Sequence, residues 1–105
     1  MIDGQEPIGL RLTGDIDYDV AGDVAARLDA HLDGGGDVVI DVGEVSFVDV
    51  SGCRVFVRAA SQLPPMRRLV LLHAKPTFVR TLSICGWLNL SQLLVVPART
   101  DLVEV

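Results

Sequence analysis

The sequence predicts an α/β fold: a single small domain over residues 1–105, with a mostly parallel central β-sheet of four to five strands and helices packed on it. Three observations predict it. Short β-branched or aliphatic runs, Val38-Val39-Ile40-Asp41-Val42, Leu69-Val70-Leu71-Leu72 and Leu93-Leu94-Val95-Val96, read as strands buried on both faces. Between them lie segments whose apolar residues recur at helical spacing. The connections are short, and alternation with short loops implies right-handed crossovers.

In chain order, Ile8-Gly9-Leu10-Arg11-Leu12-Thr13 alternates apolar with other residues, as a strand with one buried face does. This half-polar pattern suits an edge strand and leaves an antiparallel pairing open. Gly14-Asp15-Ile16-Asp17 is expected to break it as a turn. Asp17 and Asp19 compete for the N-cap of the next helix, in which Val20, Val24, Leu28 and Leu32 form a stripe widened by Ala21 and Ala25. Gly34-Gly35-Gly36 is expected to stop that helix. After the Val38–Val42 strand, Val45 to Gly52 reads as a strand-side loop handing over to a helix from Ser51 to Leu63, ended by Pro64-Pro65. Ser51 is the expected N-cap, because its hydroxyl can accept a free N–H of the first turn. Arg68–Leu72 is the next strand. His73 to Lys75 leads into a helix with Pro76 in its first turn, Phe78, Leu82 and Cys85 on one face, and Gly86 closing it. The last strand ends at Pro97, and Thr100–Val105 is too short to assign.

Length and composition narrow the function. The chain of 105 residues supports one hydrophobic core and no more. Half its residues are hydrophobic and mean hydropathy is +0.42, yet no apolar run approaches the roughly 18 residues that span a bilayer. The acidic start Met1-Ile2-Asp3-Gly4-Gln5-Glu6 does not resemble a signal peptide, so the expected location is cytoplasmic, without membrane insertion. A net charge of −5 makes nucleic acid an unsuitable partner. Cys53 and Cys85 fall at apolar helical positions and read as reduced, packed thiols rather than a disulfide framework or a zinc site.

The motifs of enzymes are missing. No Gly-x-Ser-x-Gly elbow surrounds a serine, and no phosphate-cradling loop opens a helix. His31 and His73 read as solvated or structurally satisfied, and the acid pairs Asp15/Asp17 and Asp41/Asp49 as turn and cap residues rather than a metal site. Cys53, just inside a helix, is a weaker candidate for redox sensing. What remains is the polar cluster Asp49, Ser51 and Gly52 at a helix start, where negative charge, including a phosphate, is favoured.

Taken together, these residues resemble the STAS domain, in particular the bacterial anti-anti-sigma factors (anti-sigma factor antagonists). The resemblance runs from Leu10 to about Val96. Gly14-Asp15-Ile16-Asp17 is similar to the family's Gly-Glu-Leu-Asp turn. Val38–Val42 followed by Phe47-Val48-Asp49-Val50-Ser51-Gly52 is similar to its strand and Phe-hydrophobic-Asp-Ser-Ser-Gly motif. Phe78 to Trp87 is like its third helix and closing glycine. The resemblance implies phosphorylation of Ser51 by a partner that is both anti-sigma factor and serine kinase, which releases its sigma factor when it binds the unphosphorylated chain. It also implies partner contacts through Asp17, Asp49, Val50, Ser51 and Gly52, with no cofactor and no catalysis in this chain, which is expected to be a monomer or weak dimer. Val50 departs from the family's first serine, Cys53 from its aliphatic residue, and the last family helix is cut short or absent after Pro97. STAS domains also act as constitutive adaptors in transporter, lipid-trafficking and stress-signalling complexes, which is the alternative reading.

Overall fold

In the computed structural model, which describes residues 9–32 and 36–98, seven elements alternate: β1 (Leu10–Ile16), α1 (Tyr18–Asp29), β2 (Val38–Val48), α2 (Val50–Ser61), β3 (Leu69–Ala74), α3 (Pro76–Ile84) and β4 (Leu93–Pro97). The sheet has four strands in the order β1-β2-β3-β4, and every neighbouring pair is parallel. β1 is the edge strand its half-polar pattern suggests, and it pairs parallel to β2. Sequential order with right-handed crossovers puts all three helices on one face. There Ile16, Ile40, Val42, Leu69 and Leu71 meet Leu28, Phe56, Phe78 and Leu82 in one core. The rings of Phe56 and Phe78, with centroids 5.6 Å apart, tie α2 to α3. Val39 and Val70, paired across β2 and β3, are also buried, so these strands are apolar on both faces.

Several boundaries move from their sequence-based positions. Gly14-Asp15-Ile16 does not end the first strand but continues it, with Gly14 at φ 81° beside a register shift. Val45–Val48 is strand as well. β2 pairs with β3 only over Val38–Asp41, then runs on with β1 alone to Val48. Two shifts insert one extra β2 residue each, which lets Val42, Val45 and Val48, spaced by three, all point inward. A bulged strand hides its period of two, and so reads as a loop. β3 likewise extends through His73 and Ala74.

α1 ends at Asp29, ahead of the glycines. His31 and Leu32 N–H groups turn back to the Leu28 and Asp29 carbonyls at 2.8 and 3.2 Å, and the His31 ring engages the Arg27 carbonyl at 2.9 Å. Leu32 therefore packs against the core from the following turn. Asp33, Gly34 and Gly35 lie outside the described residues, as do Ile8, the acidic start and the tail Thr100–Val105, where the last family helix would fall. α3 closes as expected on Gly86, at φ 76°. The Trp87 N–H reaches the Leu82 carbonyl at 2.9 Å and the Gly86 N–H that of Ser83 at 3.0 Å, the paired bonds of a Schellman turn.

Candidate functional site

The parallel extension of β1 and β2 places the site. Ile16 and Val48 end the two strands in register, so the next residues, Asp17 and Asp49, start α1 and α2 side by side. Asp17 has an extended backbone, and its Oδ1 accepts the Asp19 N–H at 3.1 Å, which settles the competition between the two aspartates. Asp49 is also extended. Its Oδ1 accepts the Gly52 N–H at 2.9 Å and its Oδ2 the Tyr18 N–H at 3.2 Å. One carboxylate thus closes the first turns of two helices.

This corrects the expected role of Ser51. The N-cap of α2 is Asp49; Ser51 is the second helical residue. A cap needs extended backbone, which Asp49 has, and an acceptor that reaches two or three residues ahead. Ser51 is half-buried, and among the described residues no hydrogen bond engages its hydroxyl.

Gly52, expected to contact the partner, is buried within the chain itself. A Cβ there would lie 2.8 Å from Val48 Cγ2, 2.9 Å from Ile16 Cγ2, and closer still to the Ile16 carbonyl oxygen. The glycine lets the first turn of α2 rest on the end of β1. Cys53, next along, is fully buried. Burial, with smaller contributions from Cys85 and Asp49, pushes its thiol up to about 12, and the thiolate that redox sensing requires is disfavoured.

Large apolar side chains stand exposed near the starts of α1 and α2: Tyr18 is 78% accessible, Val50 44%, and Phe47, one residue before the end of β2, 53%. From Ser51 a groove of about 690 Å³ opens between α1 and α2, lined by Tyr18, Gly22 and Ala25 on one wall and Ser51, Arg54 and Arg58 on the other. Tyr18 and the two arginines do not stand out in the sequence, whereas Phe47 opens the motif that does. Tyr18 follows a capping aspartate, and Arg54 and Arg58 sit at i+3 and i+7 from Ser51, which is the only local signal of a shared face.

A second polar cluster crosses the opposite sheet face. Asp41, the buried charged residue among those described, accepts Arg11 Nε at 3.2 Å and the Gly43 N–H at 2.9 Å, and lies 3.1 Å from His73 Nδ1. Burial alone would raise its carboxyl, but the bonds from Gly43, His73 and Arg11 outweigh that and hold it below the ordinary value. Asp41 and Asp49 are therefore separately engaged and do not form a pair. Among the described residues, no group of three or more His, Cys, Asp or Glu side chains is placed to hold a metal ion.

The family model described as "Mlab, STAS domain" matches residues 3–96, nearly the whole chain. The chain belongs to the STAS domain family. No curated protein matches it. As a STAS domain it belongs to a family that includes anti-sigma factor antagonists and related adaptors, and Asp17, Asp49, Val50 and Ser51 meet at one end of the sheet. Among the described residues, no helix is long and apolar enough to cross a membrane.

Proposed function

We propose that this STAS domain is an anti-sigma factor antagonist: unphosphorylated, it docks a cytoplasmic anti-sigma serine kinase and frees the sigma factor, and phosphorylation of Ser51 switches it off. The observation that carries this reading is the division of labour at the start of α2. Asp49 holds the cap, so the Ser51 hydroxyl, which makes no hydrogen bond among the described residues, is not needed there, and Ser51 shares the groove with the exposed Tyr18 and follows the exposed Val50. In the transfer, Ser51 Oγ attacks the γ-phosphorus of ATP held by the kinase, ADP leaves, and the hydroxyl proton passes to a base on the partner. The chain itself needs no cofactor and performs no catalysis. It acts as a monomer or weak dimer, without nucleic acid or membrane insertion.

The phosphate adds a charge of about −1.5 to −2 to a rim that already carries Asp17 and Asp49. The helix N-terminus tolerates it within the chain, whereas an interface would have to desolvate it. Ser51→Asp should fold normally and bind the cognate kinase about 30-fold or more weakly, since an unpaired interfacial charge costs about 2–5 kcal/mol at ~1.4 kcal/mol per decade. Ser51→Ala should bind like wild type and accept no phosphate. Calorimetry with the kinase, paired with phosphate transfer from ATP, decides. Unchanged affinity of Ser51→Asp together with no transfer to wild type would instead support a constitutive STAS adaptor using the same apolar rim.

A further inference from the structure

Ser51, Arg54 and Arg58 lie on one stripe of α2, at i, i+3 and i+7, and all three line the α1–α2 groove. Of the other described arginines, Arg11 pairs with Asp41, Arg68 with Asp37 and Arg67 with the carbonyls of Leu32 and Gly36, while Arg27 and Arg80 lie outside the groove. Arg54 and Arg58 have no carboxylate partner among the described residues. The guanidinium of Arg54 instead lies over the ring of Trp87, 6.0 Å from its centroid, at the outer limit of a cation–π contact.

We infer that Arg54 is the intramolecular receptor for the phosphate on Ser51, and that capture lifts its guanidinium off Trp87. The inference rests on Ser51 being phosphorylated as proposed above. Residues three apart on a helix are surface neighbours, so the phosphate oxygens come within reach of the Arg54 fork. A charge-assisted, two-pronged bond to a phosphate is stronger than a distant contact with the partly buried Trp87 ring. Arg58 stands about 10 Å from Ser51 along the helix axis and keeps its charge free. On the other wall, Asp19 and Asp29 line the groove and repel the phosphate, while the Asp49 carboxylate is occupied by two N–H groups. Phosphorylation therefore adds negative charge at the rim and also neutralises a groove cation that an acidic partner segment could use.

Trp87 is the one tryptophan of the chain, so its emission reports on Arg54. Phosphoserine incorporated at position 51 during translation removes any need for a kinase. Phosphorus NMR then follows the second ionisation of the phosphate in wild type and in Arg54→Gln. The same acids, Asp17, Asp19, Asp29 and Asp49, and the same Arg58 surround it in both proteins, so the comparison isolates Arg54. The ionisation should lie lower in wild type by roughly half a unit or more, and the phosphate should change Trp87 emission in wild type but not in Arg54→Gln. Identical titrations, or an indole signal indifferent to the phosphate in wild type, overturn the inference. A kinase that leaves Ser51 unmodified sinks the switch without touching this result, and an unshifted titration sinks the role of Arg54 while the switch stands.

Discussion

At position 49 one carboxylate does what two caps usually do, and Ser51 beside it is spared. Its two oxygens take the first-turn N–H groups of α1 and α2, while its backbone N–H and carbonyl bond to Ile16 and Cys53 at 3.2 and 3.0 Å. Removing it orphans two donors at once, and a lost cap costs about 0.5–2 kcal/mol. Asp49→Ala should therefore sit near the upper end of that range in a denaturant melt. Ser51→Ala should stay within about 0.5 kcal/mol of wild type, as surface changes away from special features do. The opposite order would return the cap to Ser51 and leave the hydroxyl with a structural explanation. Gly52 explains itself by the same local geometry, since its missing side chain is the space that Val48 and Ile16 occupy.

Between elements, the helices are held by the sheet more than by their own sequences. α1 has only 12 residues, short for independent stability. It persists because Val24 and Leu28 are buried, with Val20 packed against the same core. Leu28 is fully enclosed, so Leu28→Ala should cost about 2–5 kcal/mol, the lost transfer energy plus the cavity left behind. A thermal melt that matches wild type would mean that α1 does not press this face on the sheet. The loss would reach the site, because α1 carries Asp17, Tyr18 and one wall of the groove.

Across the whole molecule, Asp41 fastens three strands on the face away from the helices: Arg11 comes from β1, Asp41 from β2 and His73 from β3. His73 reaches it with a left-handed backbone, φ 63°, and Gly43 leaves room, since a Cβ there would be 3.1 Å from both Asp41 Oδ1 and His73 Cβ. The folded carboxyl ionises below its ordinary value of 3.8. Its stabilisation is thus fully present above that pH and is lost as pH falls through the lower, folded value. Wild type should lose stability on acidification below about pH 4, and Asp41→Asn should be less stable at neutral pH while losing less as the pH falls. Denaturant melts at a series of pH values test this. Equal acid slopes in the two proteins would remove Asp41 from the account.

The alternation of apolar runs with helical stripes is enough to predict the α/β class, the order of elements, the buried central strands and the glycine that closes α3, because these depend on residues close together in sequence. The motif also brings Asp17, Asp49, Val50 and Ser51 to notice. Which of them caps, which is buried and which is free depends on contacts across about thirty residues: the Tyr18 N–H on Asp49, the Ile16 carbonyl under Gly52, His73 against Asp41. The long β2 is invisible for a related reason. Its inward valines are spaced by three, and only pairing with β1 through two register shifts turns that spacing into one buried face.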